Sequence, residues 1–147
     1  MSEKSQFRIP TPVLGLLKRE ALEAYPEECC GILLGRGSSP GEPIAEVSEV
    51  AVAPNSASDR REDRYAIDPK LVLQVQQEAR GRQVEVLGYY HSHPCRSATP
   101  SQSDLESAWP EVRYLILAVE AERVTGVKCW RLSEVGETFE EVDIGYS

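Results

Sequence analysis

The 147-residue chain holds two histidines, one residue apart, in Gly88-Tyr-Tyr-His-Ser-His-Pro-Cys-Arg-Ser-Ala-Thr-Pro-Ser-Gln-Ser-Asp104. On a strand, residues two apart project to the same side, so His91 and His93 can offer two imidazoles to one point. Neutral imidazole ligates zinc and other divalent transition metals. A catalytic zinc takes three protein ligands and keeps a position for water. Asp104 is the natural third donor, because it follows the loop Pro94–Pro100 at the start of an expected helix. A His-His-Asp set leaves Zn²⁺ with a net charge of about +1, which draws the pKa of bound water toward about 7.

The same residues also read as a capped turn. Ser101-Gln-Ser-Asp104 has the form of a capping box, and Ser103-Asp-Leu-Glu106 matches one even better by residue type. His-x-His is a short pattern, and spacing leaves both readings open. Amide hydrolysis at such a centre further needs a group that takes a proton from water and returns it to the leaving amine, a task suited to glutamate. Among 24 acidic residues, Glu27 and Glu28 stand out by placement, at a junction between a helix and an apolar strand.

The elements that must hold these groups follow from pattern. Thr11-Pro12 reads as a cap with proline at the first helical position, and Val13, Leu16, Leu17 and Ala21 continue at helical spacing to Ala24. Cys29–Gly35 is a short apolar run that fits a buried strand, and 35–43 is rich in turn formers. Ile44–Ala53 alternates as a strand. Pro54–Arg64 is a polar loop, Tyr65–Ile67 a short strand candidate, and Asp68-Pro69 opens a helix reaching Arg80. Val84–Tyr90 is a strand leading into the histidines, and Ser101–Trp109 a helix. Val112–Val119 is the strongest central strand. Val124–Leu132 and Thr138–Ile144 complete a mixed α/β pattern.

The length suits one domain over 1–147. A formal charge of −8 argues against nonspecific nucleic-acid binding. The chain has no run of about 18 apolar residues and its N-terminus lacks a signal-like stretch, so neither nucleic acid nor membrane is an expected partner and a cytoplasmic location is expected. Cys29, Cys30, Cys95 and Cys129 contain no C-x-x-C pair and are expected to be free thiols, with Cys95 a tolerated loop residue.

His91-Ser92-His93-Pro94, seven residues counted from that proline, and Ser101-Gln102-Ser103-Asp104 together resemble the JAMM metalloproteases of the MPN-type fold. The upstream Tyr25-Pro-Glu-Glu-Cys-Cys-Gly-Ile-Leu-Leu-Gly35 is similar to that family's Pro-x-Glu segment before a Gly-x-Leu-x-Gly strand. The resemblance spans Val13 to about Leu132. It implies a deaminase-like α-β-α sandwich with a mixed sheet flanked by helices. It further implies one Zn²⁺ per chain on His91, His93 and Asp104, Glu28 as general base and acid, and Ser101 as hydrogen-bond donor to the oxyanion.

The implied reaction is hydrolysis of an amide or isopeptide bond at the C-terminal tail of a ubiquitin-like protein. The chain's small size resembles the compact prokaryotic members, whose substrates are sulfur-carrier proteins bearing a C-terminal extension or adduct. The segment Pro54–Pro69 is similar to their substrate-side loop and strand, which makes Asn55, Tyr65 and Ile67 the expected substrate contacts. The alternative, a catalytically inactive MPN-type scaffold that binds partners, predicts loss of the metal-binding and glutamate positions, all of which are present here.

Overall fold

A computed structural model of the protein describes residues 6–37, 44–133 and 135–147. Its elements run β1 (Gln6–Ile9), α1 (Thr11–Ala24), β2 (Cys30–Arg36), β3 (Ile44–Ala53), α2 (Pro69–Arg80), β4 (Glu85–Pro94), α3 (Gln102–Ser107), β5 (Arg113–Glu120), β6 (Arg123–Leu132) and β7 (Phe139–Tyr146). The sheet order is β1-β3-β2-β4-β5-β6-β7, and β1 closes it by pairing in parallel with both β3 and β7. The remaining neighbours are antiparallel except β4 and β5, which are parallel across the connection that carries α3.

The sheet is mixed and three helices accompany it, as expected. The layering differs from an open sandwich, because the sheet curls into a closed barrel. The cause is β1, whose Phe7 and Ile9 are fully buried but too few and too isolated in sequence to announce a strand. Closure satisfies edge backbone groups on β3 and β7 that an open sheet exposes.

Period-two alternation explains why β2 reads as a continuous apolar run. Leu33 packs with α1 residues Leu17 and Ala21, while Ile32 and Leu34 face Val75 and Ala79 of α2. Both sides of the strand are thus buried. β5 behaves the same way. Leu115, Leu117 and Val119 join the α1 cluster, while Ile116 and Ala118 meet Ala98 and Trp130 under the loop that follows β4.

Local signals were met unevenly. Asp68 caps α2 by accepting from the Lys70 amide at 2.9 Å, with Pro69 at the first position. Thr11 is not a side-chain cap for α1. Its hydroxyl donates to the Ser147 carbonyl at 2.9 Å, so it fastens the helix start to the end of β7. Tyr65–Ile67 joins no strand ladder. The helix after Ser101 ends at Ser107, ahead of Trp109. Most of the turn at 35–43 lies outside the described residues; Arg36 is still in β2 and Gly37 takes φ +95°. Among the described residues no helix is long and apolar enough to cross a membrane.

Candidate metal centre

β4 delivers the two histidines, and a bulge decides which way they face. The β2–β4 register shifts where Leu33 pairs with Gly88 but Leu34 with Val86, so Leu87 is the extra residue. Leu87 and Tyr90 consequently both enter the α1-side core, and Tyr89, His91 and His93 turn to the opposite face. Bulges re-aim side chains in this manner. Ser92 points inward, where its Oγ accepts from the Cys29 amide at 2.8 Å and ties β4 to the segment carrying Glu28.

α3 delivers the carboxylate. Ser101 caps the helix by accepting the Asp104 amide at 3.0 Å, and Asp104 Oδ2 accepts the Ser101 amide at 2.8 Å. The box is therefore Ser101–Asp104 rather than Ser103–Glu106. The capping carboxylate is also the one that faces the histidines. His91 Nε2, His93 Nε2 and Asp104 Oδ2 lie 3.1–3.2 Å from one another. A tetrahedral ion with ligand bonds of about 2.0–2.2 Å spaces its donors about 3.3–3.6 Å apart. The three groups therefore fit a metal ion after a relaxation of a few tenths of an ångström.

Protonation agrees with ligation. His93 Nδ1 sits 2.9 Å from the Ser97 carbonyl, which only accepts, so that nitrogen carries the hydrogen and Nε2 keeps its lone pair for the centre. Burial pulls the His91 pKa down and favours neutral imidazole. Burial opposes ionisation of Asp104, but hydrogen bonds to His91 and His93 outweigh it and hold the carboxyl well below its usual range. Tyr65 stacks on His91, with ring centroids 4.4 Å apart and planes at 22°.

Glu28 precedes β2 and is 2% exposed. Its Oε2 is paired with Arg96 Nη2, and its Oε1 is buried with no hydrogen-bond partner among the described residues. Burial pushes its pKa up to about 8, Arg96 opposes the rise, and Asp104 adds to it. Glu27, the neighbouring candidate, is exposed. Arg96 had no role in the sequence reading. Its position just after His93-Pro94 was visible, but its pairing with a residue 68 positions away was not.

Asn55 is committed to its own loop. Its amide nitrogen donates to the carbonyls of Glu28 (3.2 Å) and Arg64 (2.9 Å), and its oxygen accepts from Ala57 (3.1 Å) and Ala66 (3.2 Å). Tyr65 and Ile67 line a cavity of about 620 Å³ beside Asp104, together with Val72, Leu73, Tyr89 and Trp109. A second cavity of about 530 Å³, polar and bounded by Arg60, Arg64, Arg96 and Ser101, lies on the other flank of α3. Cys29, Cys30 and Cys129 are buried free thiols. Cys95 is exposed, with its Sγ 3.1 Å from the Tyr25 hydroxyl.

Residues 10–133 match the family described as prokaryotic homologs of the JAB domain. A desampylase of Haloferax volcanii is 31% identical over 121 residues, which cover 81% of this chain and 78% of that protein. A desampylase of Pyrococcus furiosus is 29% identical over 141 residues, covering 90% and 89%. The solution structure of a Desulfitobacterium hafniense protein superposes with a TM-score of 0.80 at 26% identity, covering 96% of this chain and 92% of the other. With the matched family spanning most of the chain and a three-donor centre at the head of α3, the protein belongs to the prokaryotic JAB-domain family and is a JAMM-type hydrolase.

Proposed function

We propose that this protein, as one catalytic unit over 1–147, is a zinc-dependent peptidase that hydrolyses an amide bond at the C-terminal tail of a ubiquitin-like, sulfur-carrier protein. The observation that carries the reading is the juxtaposition of a buried, partly unpaired carboxylate at Glu28 with three converging donors at His91, His93 and Asp104. Two relatives named desampylase support a ubiquitin-like substrate.

His91, His93 and Asp104 would hold one Zn²⁺, which when bound acidifies water and polarises the scissile carbonyl. Glu28 accepts a proton from the attacking water at Oε1 and hands it to the departing amine. Burial and Arg96 act on that carboxyl in opposite directions, and a bound Zn²⁺ would lower its pKa toward the ionised form a base needs. Ser101 donates its hydroxyl hydrogen to the developing oxyanion. The capping bond uses only an oxygen lone pair, so cap and donor are compatible at once.

The tail lies in the apolar cavity as an extended segment and is read by Tyr65 and Ile67, with Asn55 shaping the loop that presents them. Among the described residues the metal-donor and glutamate positions are intact, which disfavours the inactive scaffold. The test is metal analysis joined to mass spectrometry. The protein, a cytoplasmic enzyme on this reading, is reconstituted with zinc and incubated with C-terminally extended sulfur-carrier proteins. About one Zn²⁺ per chain and loss of the extension's mass are expected. Unchanged metal content in His91→Ala, or intact substrates alongside cleavage of an unrelated peptide, overturns the assignment.

A further inference from the structure

The polar cavity beside the centre is bounded by Arg60, Asp63, Arg64, Arg96, Ser101 and Glu106. Three guanidinium groups meet two carboxylates there. Asp63 is taken by Arg60 at 2.6 Å, and Arg64 has no salt-bridge partner among the described residues. Arg96 is turned toward Glu28, with about a third of its side chain still exposed. A planar guanidinium is matched to a carboxylate, and Arg96 already binds one.

Position assigns the cavity its side of the scissile bond. Glu28 must reach the departing nitrogen, and the side chain that binds Glu28 forms a wall of this cavity. The leaving group therefore occupies the polar cavity, while the apolar one takes the tail. In an amino acid joined through its α-amine, the carboxyl carbon is two bonds from the nitrogen that leaves. In a lysine joined through its side chain, the carboxyl carbon is six bonds away and is itself tied up in a peptide. An arginine this close to Glu28 suits the first leaving group.

Resting on the peptidase reading above, we propose that Arg96, supported by Arg64, is a specificity-determining residue that binds the free α-carboxylate of the departing residue. The enzyme then removes a C-terminal residue in preference to a lysine-linked conjugate. A substrate carboxylate that takes Arg96 also releases Glu28 Oε2, while Oε1 remains the atom that takes the proton. The reaction consumes only water, whose hydroxyl goes to the tail carbonyl and whose proton goes to the amine.

The test uses one ubiquitin-like protein carrying a single extra residue after its tail, as the free acid, as the C-terminal amide, and as a lysine isopeptide. With the zinc-loaded enzyme, kcat/KM for the acid should exceed that for the amide by about 10- to 100-fold, the range for a hydrogen-bonded charged pair. Arg96→Gln should bring the acid-to-amide ratio near one, and Arg64→Gln should lower it in part. Because Arg96→Gln also disturbs Glu28, the ratio is read a second time as equilibrium binding of acid and amide tail peptides to chelator-treated protein. There the wild type should prefer the acid and Arg96→Gln should not. A wild-type ratio near one, an isopeptide cleaved as fast as the acid, or a ratio untouched by both substitutions overturns the proposal and leaves the peptidase reading standing. Hydrolysis of none of the three substrates overturns that reading, and this one with it.

Discussion

Glu28 is the residue where burial, charge and the proposed proton transfer meet. Its carboxyl is buried, held at one oxygen by Arg96 and bare at the other. Glu28→Gln keeps size and most hydrogen-bonding capacity but cannot take a proton. The variant should retain its metal and lose about 10²–10⁴-fold in kcat, measured as single-turnover hydrolysis beside metal content. Retained turnover moves the base elsewhere. The raised pKa also has a stability consequence in chelator-treated protein. Between its ordinary value of 4.5 and about 8, folded Glu28 keeps a proton that the unfolded chain has already released. Stability therefore falls as pH rises through that window, by up to about 1.4 kcal/mol per unit. Urea midpoints at pH 5 and pH 7.5 should separate in wild type more than in Glu28→Gln; parallel behaviour contradicts the shift.

At the scale of elements, α3 is a short helix whose cap is part of the centre. The carboxylate that accepts the Ser101 amide is the one that faces His91 and His93. Ser101→Ala removes the reciprocal bond to the Asp104 amide. A loss of about 1 kcal/mol in stability is expected, together with roughly 10- to 100-fold weaker metal binding from a loosened ligand. Ser101→Thr, which keeps a hydroxyl, should recover most of both in thermal melts and metal titration. Equal losses in the two variants dissociate the cap from the centre. The geometry explains why the sequence supported a capping box and a candidate metal ligand together: both readings concern one carboxylate. Tyr65–Ile67 failed as a strand for a related reason. An aromatic-x-apolar pattern marks burial on one side, and here stacking on His91 and a cavity wall supply that burial without a ladder.

For the whole molecule, the decisive feature is closure. β1 is four residues long, yet it joins β3 to β7, and Phe7 lies in the core with Leu17 of α1 and Leu115 of β5. Phe7→Ala should destabilise the protein by about 3–5 kcal/mol, read from denaturant midpoints. A cost under about 1 kcal/mol would mean that β1 is an ornament rather than a seam. Sequence by itself determined the strands that are buried on both faces and the capped start of α2, and with the family resemblance it singled out His91, His93 and Asp104 as candidate donors, which the structure brings together. Those features are local: apolar runs, cap chemistry and fixed spacing survive without knowledge of distant partners. Tertiary structure alone decided the closure by β1, the facing of the histidines after the bulge at Leu87, and the clamp of Arg96 on Glu28. Each depends on which segments lie side by side, a choice made by burial of the whole core and carried by contacts between residues far apart in the chain.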